Sequence, residues 1–478
     1  MGRVLLLLGV LLPLLEASVS AEGLREGLDA IFADQGLRGV RMSLRVVSIT
    51  TRQVLYSYHA DDLLTPASNV KLVTTAAALF YLGADYQFRT VVAATGDVDA
   101  QGVLQGDLVV VGGGDPSISG RFFGGDARVV FAQWADKLRD RGIGSVAGDL
   151  IGDDRFFDRE YRHPGWPKGQ EASWYEAPIG ALSLNDNCVD FVLSPASPGQ
   201  PARLSLNPPS DYLQFENRCM TRAGRGSSVV TCVRAPGSRR VLLRGSLPQN
   251  GGTAASNVTV DNPGEFFLEV LAGVLRERGI EVRGRVRLVA ADETFAHLTP
   301  LLEHRSGLRD AIEVANKRSQ NFYAEQILKT LGRETLGEGS FGRGVEAVTM
   351  FLEKQEFNPE HYRLADGSGL SRDNQLSAHF LTDLLAVMAH SPVADVYRES
   401  LAEAGVDGSM RNRLRDVNSG AKVFGKTGSL ATVRALSGYV QAESGELLAY
   451  SFLMNGSAAG TWRARSVQDE ALKLLADY

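Results

Sequence analysis

The sequence predicts an α/β (α+β) protein in which an antiparallel sheet is flanked by helices and interrupted by a large β-rich insertion. Near the start, two apolar runs with strand alternation are followed by a helix, all within 42–84. From about 300 the chain is helical, and it ends in strands and a last helix. Between these parts, short apolar runs are broken by Gly, Asp and Pro, which is typical of β-rich regions.

The elements outside the insertion have clear patterns. "MSLRVVSITTRQVLYSYH" (42–59) predicts a hairpin, and "TPASNVKLVTTAAALFYLGA" (65–84) predicts a helix that begins just after Pro66. Further helices are predicted at 308–315, 319–332, 342–355, 377–390 and 462–476. "KVFGKTGSL" and "VRALSGYVQAESGELLAYSFLMNG" predict strands, with a turn at "ESGE". We therefore expect one domain from 22–85 and 291–478, and an inserted accessory region of two nested subdomains at 86–290.

Composition narrows the class of protein. The chain has 478 residues, 44% hydrophobic and 22% charged, which is a globular composition with room for two or three domains. Its formal net charge is -6, and no run of like charges stands out. A mildly acidic chain with scattered charges does not indicate a nucleic-acid partner.

The N-terminus predicts export. Arg3 precedes an apolar run from Val4 to Leu15, and Val19-Ser20-Ala21 fits a small-residue cleavage site with cutting before Glu22. The run is short for a membrane span, so a signal peptide at 1–21 is the main interpretation and a short anchor the alternative. No other segment is apolar enough to cross a membrane, so we expect no integral membrane segment after processing.

The cysteines and histidines do not indicate a metal site. Cys219 and Cys232 are close in sequence, and an exported chain forms disulfides, so we expect these two to pair and Cys188 to be left over. No spacing resembles a zinc site, and the seven histidines show no H-E-x-x-H pattern. We expect neither a metal nor another cofactor.

Ser68 and Lys71 are the first of three chemical motifs. They are three residues apart, hence neighbours on one face near the start of the predicted helix. A serine hydroxyl is a poor nucleophile until a base removes its proton, and a lysine with a lowered pKa is such a base. The alternative is a helix N-cap serine beside an unrelated lysine whose charged end reaches solvent.

Ser319 and Asn321 form the second motif, in "ANKRSQNFYAEQILKTLG". The functional interpretation is a second hydroxyl that shuttles a proton and an amide that bonds a substrate peptide group. The alternative for Ser319 is an N-cap of the helix that follows.

Lys426, Thr427 and Gly428 form the third motif, on a predicted strand. The ammonium and the hydroxyl suit a carboxylate, and a glycine lets a substrate backbone approach closely. The alternative is an edge strand with a solvated lysine.

The order S-x-x-K, S-x-N, K-T-G resembles the penicillin-recognising active-site serine enzymes, namely the penicillin-binding proteins and serine β-lactamases. The long separation of the first two motifs is similar to that in low-molecular-mass class C penicillin-binding proteins, the D-alanyl-D-alanine carboxypeptidase/endopeptidases of the penicillin-binding protein 4 type. Four further stretches agree with this resemblance: "GDLVVVGGGDPS" (106–117), "GWPKGQEASWYEAPIGALSLNDNCVDF" (165–191), "LADGSGLSRDN" (364–374) and "GKTGSLATVRALSGY" (425–439). The resemblance implies a serine β-lactamase/transpeptidase-like fold for 22–85 and 291–478.

The resemblance also implies a role for each residue of the chemistry. Ser68 would be the nucleophile, Lys71 the general base, and Ser319 the relay of a proton to the leaving D-alanine amine. The backbone N–H groups of Ser68 and Ser429 would form the oxyanion hole. The reaction would pass through an acyl-enzyme, and β-lactams would acylate the same serine and leave it slowly.

For substrate binding, the resemblance implies that Asn321 contacts the peptide carbonyl, while Lys426 and Thr427 hold the terminal carboxylate. The family's insertion supplies an acidic residue for the amine of the diaminopimelic side chain. Glu171 is the candidate here, with a solvated surface glutamate as the alternative. Leu430 would line the same subsite. The Gly-rich stretch Asp366–Gly369 is interpreted as a structural loop beside the site.

These roles imply a periplasmic enzyme that acts on peptidoglycan stem peptides and cross-links, with β-lactams as covalent inhibitors. Two other classes stay open at this point. One is a sensor that is acylated without turnover, and the other is an inactive structural protein of the cell wall. The presence of both proton-transfer groups, Lys71 and Ser319, favours the hydrolase.

Overall fold

The computed structural model describes residues 20–417, 420–456 and 458–478, without the side chains of 458, 459 and 461. The helices of this part of the chain are α1 (Ala21–Phe32), α2 (Val70–Tyr81), α3 (Val129–Asp140), α4 (Pro263–Glu277), α5 (Leu308–Lys317), α6 (Asn321–Leu336), α7 (Phe341–Lys354), α8 (Ala378–Ala389), α9 (Ala394–Glu399) and α10 (Ala458–Ala476). Its strands are β1 (Arg41–Ser48), β2 (Val54–Tyr58), β3 (Gln87–Ala94), β4 (Val103–Leu104), β5 (Leu108–Val111), β6 (Ser145–Val146), β7 (Leu150–Asp153), β8 (Cys188–Ser194), β9 (Arg203–Asn207), β10 (Gln214–Arg222), β11 (Val229–Val233), β12 (Arg240–Pro248), β13 (Ala254–Thr259), β14 (Glu281–Val282), β15 (Val286–Leu288), β16 (Thr299–Gly307), β17 (Tyr362–Arg363), β18 (Gln375–Leu376), β19 (Ala402–Glu403), β20 (Lys422–Leu430), β21 (Val433–Gln441) and β22 (Leu447–Asn455).

The main sheet joins the two ends of the described chain. Its strand order is β19-β20-β21-β22-β1-β2, and all neighbours are antiparallel. Both faces of this sheet are covered by helices. Tyr450 and Phe452 of β22 pack in the core with α1 and α10, whereas Ala449 and Leu453 pack in the core with α8. Because successive side chains point to opposite faces, a strand that is buried on both faces is largely apolar, as β22 is apart from Ser451 and Asn455. The predicted α+β class, with an antiparallel sheet flanked by helices, is confirmed.

Helix α2 lies in the interior of the helical layer. It contacts α6, α7, α5 and α9. All of its residues from Val70 to Leu79 are buried. Its run of Val, Leu, Ala and Thr is therefore explained by burial on every side, which agrees with the sequence pattern.

The β-rich segment forms several small sheets around a five-stranded one. The five-stranded sheet has the order β15-β7-β5-β3-β16, and three-stranded sheets are formed by β10-β12-β11, by β13-β8-β9 and by β14-β6-β4. β16 pairs with β3 along its length, so this sheet continues to Gly307. If the five-stranded sheet is assigned entirely to the inserted region, that region ends at 307 rather than at the predicted 290.

The predicted disulfide between Cys219 and Cys232 is absent from the structure, where Cys188, Cys219 and Cys232 are free thiols. Cys219 lies on β10 and Cys232 on β11, and these strands flank β12 on opposite sides. Two strands separated by a third are about 9–10 Å apart, whereas a disulfide spans Cα atoms less than about 7 Å apart. Cys219 and Cys232 are close in sequence but are separated by a strand in the sheet.

The predicted signal peptide at 1–21 lies almost wholly outside the described residues. Ser20 is the first of them, and its hydroxyl caps α1 by accepting from the Gly23 N–H. Within the described ranges, no helix has the length and apolarity that crossing a bilayer requires.

Candidate active site

Ser68 lies in a single 3₁₀ turn, Ala67–Asn69, that leads directly into α2. Neither this turn nor α2 has a side-chain cap, so Ser68 is not the N-cap of the alternative interpretation. Its side chain lines a cavity of about 450 Å³. The turn is anchored to the main sheet because the Asn69 amide donates to the Ser437 hydroxyl at 2.7 Å.

Lys71 is fully buried, and its ammonium nitrogen has three oxygen neighbours. Nζ lies 2.9 Å from the Ser68 hydroxyl oxygen, 2.7 Å from Asn321 Oδ1 and 2.7 Å from the Ser368 carbonyl oxygen. The last two oxygens can only accept hydrogen bonds. A neutral Lys71 amine therefore spends both hydrogens on Asn321 and Ser368, and its lone pair faces the Ser68 hydroxyl.

Burial lowers the pKa of Lys71 to about 7, and the negative charges of Glu325 and Asp366 oppose this shift. A pKa near 7 suits a group that must accept and return a proton near neutral pH. The predicted nucleophile–base pair is thus brought together with the electrostatics that its chemistry needs.

Ser319 and Lys426 meet on the other side of the cavity. The Lys426 ammonium donates to the Ser319 hydroxyl at 2.9 Å and to the Thr427 carbonyl oxygen at 2.8 Å. Burial, and then the positive charge of Lys71, lower the pKa of Lys426 well below its ordinary value. Ser319 has a left-handed φ of 58°, and α6 begins only at Asn321, with Gln320 before it. Ser319 is therefore not an N-cap.

Asn321 connects the base to the inserted region. Its Oδ1 accepts from Lys71, and its Nδ2 donates to the Tyr175 carbonyl oxygen at 2.9 Å. The amide nitrogen keeps one hydrogen for a substrate group.

The cavity brings together residues from both parts of the chain. Its walls include six predicted site residues, and other residues flank them. The lining consists of Ser68, Pro167, Gln170, Trp174, Tyr175, Ser319, Asn321, Gly369, Leu370, Arg372, Thr427, Ser429, Leu430 and Ala431. Lys426 lies behind this surface with no exposed area, and acts on the cavity through its contacts with Ser319 and Thr427.

Glu171 is not among the residues that line the cavity, whereas its neighbour Gln170 is. The Glu171 carboxylate accepts from the Gly169 N–H at 3.0 Å, and this bond is the main cause that lowers the pKa of Glu171. Gln170 accepts from the Tyr175 hydroxyl at 2.6 Å. The carboxylate of Glu171, the predicted acid, thus bonds to its own loop, and the amide of Gln170 lines the cavity instead.

Gly428 has an internal packing role that the sequence pattern did not reveal. A Cβ at this position would lie 2.6 Å from the Pro66 carbonyl oxygen. The glycine therefore lets β20 pass close to the turn that carries Ser68, within the protein itself.

Two buried carboxylates were missed by the sequence patterns. Glu325 accepts from the N–H groups of Gly367 at 3.1 Å and Ser368 at 2.7 Å, while burial raises the pKa of Glu325 to about 8. Asp366 accepts from the Gly369 N–H at 2.7 Å and the Trp166 indole at 3.0 Å. The Gly-rich loop is therefore more than a neighbour of the site, because it supplies an acceptor to Lys71 and is held by two carboxylates whose negative charges oppose the lowering of the pKa of Lys71 by burial.

Two polar residues near the cavity also escaped the sequence interpretation. Arg372 places a guanidinium in its wall. Ser409 lies 2.8 Å from the Thr427 hydroxyl, oxygen to oxygen. Ser409 precedes Thr427 by 18 residues and belongs to none of the three motifs.

Comparison with known proteins gives a family match and close relatives. Residues 24–478 match the model of the D-Ala-D-Ala carboxypeptidase 3 (S13) family. The D-alanyl-D-alanine carboxypeptidase of Actinomadura sp. is 34% identical over 467 residues, which are 95% of this chain and 85% of that protein. The D-alanyl-D-alanine carboxypeptidase DacB of Haemophilus influenzae is 26% identical over 432 residues, or 88% of each chain.

A solved structure agrees with the sequence relatives. The crystal structure of penicillin binding protein 4 (dacB) from Haemophilus influenzae has a TM-score of 0.78 and 25% identity, and the match covers 93% of this chain and 97% of that one. This likeness confirms the predicted fold class and the predicted resemblance to penicillin-binding protein 4. With the family match over nearly the whole chain, it leads to one conclusion: the chain belongs to the D-Ala-D-Ala carboxypeptidase 3 (S13) family and is a serine-type D-Ala-D-Ala carboxypeptidase.

Proposed function

We propose that the enzyme cleaves D-alanyl-D-alanine ends of peptidoglycan stem peptides through an acyl-enzyme on Ser68, that it also cleaves peptide cross-links, and that β-lactams acylate the same serine. The observation that carries this proposal is the Ser68–Lys71 pair. The hydroxyl lies 2.9 Å from a buried amine whose other two neighbours are carbonyl oxygens.

Acylation begins with neutral Lys71. Its lone pair takes the Ser68 hydroxyl proton while the serine oxygen bonds to the carbonyl carbon between the two D-alanines. The carbonyl oxygen becomes an oxyanion, which the backbone N–H groups of Ser68 and Ser429 would bind. Both residues line the cavity, which supports this assignment.

The tetrahedral intermediate collapses when the bond from carbon to the D-alanine nitrogen breaks. That nitrogen needs a proton, and Ser319 is the hydroxyl placed to give it. Lys426 donates to Ser319 at 2.9 Å and can replace the proton that Ser319 loses. Lys71, now an ammonium, then gives up the proton that it took from Ser68, which restores the proton supplied through Lys426 and leaves Lys71 neutral again. Water attacks the ester carbon while Lys71 accepts the water proton, and Lys71 passes this proton to the Ser68 oxygen as the ester C–O bond breaks and the acid departs.

The edge of β20 favours an extended peptide substrate. In the part of the chain that the structure describes, β19 pairs with β20 at Phe424 and Gly425, and no strand pairs with the edge opposite β21 from Lys426 to Leu430. A peptide that adds to this edge gains main-chain hydrogen bonds. Its terminal carboxylate would meet the hydroxyls of Thr427 and Ser429, with the Lys426 charge behind them.

A cross-linked peptide offers the same amide bond with a longer leaving group. The cavity is open to the surface of the inserted region at Gln170 and Trp174, where a longer chain can extend. The Haemophilus influenzae relative is named a penicillin binding protein, and the three motifs in this chain support β-lactam acylation. The predicted signal peptide supports a periplasmic location.

The test uses purified mature protein and a stem pentapeptide that ends in D-Ala-D-Ala. We expect steady release of D-alanine, a penicillin adduct on the peptide that contains Ser68, and loss of both in Ser68→Ala. A cross-linked muropeptide, followed by mass spectrometry, tests the endopeptidase activity separately. A penicillin adduct without any D-alanine release would show a sensor instead, and the absence of both from folded protein would overturn the proposal.

A further inference from the structure

A group of three possible metal ligands lies away from the catalytic cleft. Asp61, His361 and His379 each offer one ligand atom, and these atoms all lie within 4.8 Å of one another. Asp61 Oδ1 is 2.6 Å from His379 Nδ1 and 3.5 Å from His361 Nε2. The two imidazole rings lie side by side with their centroids 4.9 Å apart.

These separations suit a tetrahedral ion. Zinc bonds to imidazole nitrogen and carboxylate oxygen are about 2.0–2.2 Å long, so tetrahedral ligands lie about 3.3–3.5 Å apart. The Asp61–His361 separation of 3.5 Å already has this value, whereas the Asp61–His379 separation of 2.6 Å must widen by less than about 1 Å to admit an ion. Asp61 is 70% exposed, and the two imidazoles are 20% and 33% exposed, so an ion can enter from solvent and keep a water as its fourth ligand.

His379 is oriented as metal-binding histidines are. While its Nδ1 faces the cluster, its Nε2 lies 3.3 Å from Asp383 Oδ2. Asp383 is in turn fixed by Arg45, whose guanidinium lies 2.5 Å from its other oxygen. A carboxylate on the far nitrogen fixes the tautomer and makes the near nitrogen a better ligand.

Main-chain bonds hold the three ligand segments together. The His379 N–H donates to the Ala60 carbonyl oxygen at 2.9 Å, which joins α8 to the loop that carries Asp61. The Ser377 N–H donates to the His361 carbonyl oxygen at 3.1 Å, which joins the third ligand to the same helix. The cluster is therefore set by the backbone and does not depend on flexible side chains alone.

We propose that Asp61, His361 and His379 bind one divalent transition-metal ion, with zinc preferred because two imidazoles and a carboxylate suit it. The site lies apart from the residues of the peptidase chemistry. No sequence motif reveals it, because the three ligands come from three distant segments. Two of these segments are followed in the chain by parts of the active site. The segment with Asp61 continues through Leu64 to Ser68, and the segment with His361 continues to the Gly-rich loop. A bound ion would hold together the starts of these two connecting segments.

The test is a titration of metal-free full-length mature protein with zinc chloride, followed by calorimetry, and with cobalt chloride, followed by visible absorption. We expect one equivalent of saturable binding and a cobalt spectrum of tetrahedral type. Thermal unfolding should shift upward with zinc concentration, because the ion binds the folded state. Asp61→Asn and His361→Ala should each weaken zinc binding by at least about 100-fold, and Asp383→Asn by about 10-fold.

His390→Ala is the matched control. His390 is an exposed histidine at the end of the same helix, where its Nδ1 lies 2.8 Å from the Ala386 carbonyl oxygen, and it is not part of the cluster. This variant should bind zinc as the parent does. Unfolding midpoints in metal-free buffer check that each variant is folded. If His361→Ala does not fold, the zinc affinity of Asp61→Asn decides the test. Absence of saturable binding to the parent, or equal binding to Asp61→Asn and the parent, would refute the site.

Discussion

Two buried lysines lie behind the wall of the same cavity, and their surroundings differ in charge. Lys71 has Glu325 and Asp366 near it, and these charges oppose the effect of burial, so the pKa of Lys71 is about 7. Among the described groups, the charge that acts on Lys426 is that of Lys71, which lowers its pKa further. The first lysine has its counter-charges built in, so it titrates near neutrality. Lys426 lacks such counter-charges, which suits a site where an anionic substrate group supplies the negative charge.

The largest expected effect comes from removing the base. Lys71→Ala and Lys71→Arg should each lower the rate of penicillin acylation at Ser68 by at least about 100-fold, because neither residue accepts the serine proton near neutral pH. Adduct formation followed by mass spectrometry measures this. Lys426→Arg is the control, since it keeps a cation on the opposite side and should retain measurable acylation. Near-normal acylation of Lys71→Arg would refute the assignment of Lys71 as the base.

Removing the second lysine should act mainly on recognition. Lys426→Ala should reduce kcat/KM for a peptide with a free terminal carboxylate by about 10- to 150-fold, the equivalent of 1.5–3 kcal/mol for one lost charged interaction. Part of the loss should appear in kcat, because the anchor also orients the scissile bond. Kinetics of Lys426→Arg should show partial recovery. An equal loss for a substrate whose carboxylate is amidated would contradict the role in binding the anion.

The carboxylates beside Lys71 should control its pH dependence. Acylation needs neutral Lys71, so kcat/KM should rise with pH through about 7 and then level off. Burial raises the pKa of Glu325 to about 8, so only part of this carboxyl is charged near pH 7. That charged fraction stabilises the ammonium, so Glu325→Gln should lower the pKa of Lys71 and move the rise to lower pH, by less than about one unit.

Glu334→Gln is the control for this change, because Glu334 is an exposed residue of the same helix that bonds Tyr86. Its pH profile should match that of the parent. A profile of Glu325→Gln that moves to higher pH would show that the carboxylate does not act on Lys71 in this way.

The smallest effect is expected at Ser409. Its hydroxyl lies 2.8 Å from that of Thr427, on the Lys426 side of the cavity. Ser409→Ala should reduce kcat/KM by about 2- to 10-fold, the usual contribution of one neutral hydrogen bond. The pH midpoint of the reaction should not change, because Lys71 is not touched. A shifted midpoint would mean that the two lysine sites are coupled more strongly than their separate contacts indicate.

The sequence was sufficient for the parts of the site that are local. Ser68 and Lys71 are neighbours by helix geometry alone, and Lys426 lies on a strand, β20, as predicted. The order of the motifs then led to the family. For the same reason the main sheet was predictable, since its strands show strong apolar patterns in short, regular runs.

The parts that depend on distant contacts were not predictable. Glu325 appears in the sequence as an ordinary polar residue of a helix, and only folding places it against Gly367 and Ser368. Glu171 was chosen by position along the chain, whereas a single loop hydrogen bond decides where its carboxylate points. The first helix, Ala21–Phe32, was missed because it directly follows the apolar run assigned to export.

Gly369 and Gly428 approach the turn before Ser68 from opposite sides. A Cβ at Gly369, whose φ is +81°, would overlap the Ala67 carbonyl oxygen, and a Cβ at Gly428 would lie 2.6 Å from that of Pro66. The turn that carries the nucleophile is thus held by main-chain contacts at two glycines, where there is no side chain whose size could change. Side chains of the cavity wall such as Gln170 and Leu430 stand outside these two contacts. New peptide preferences can arise there without moving the serine.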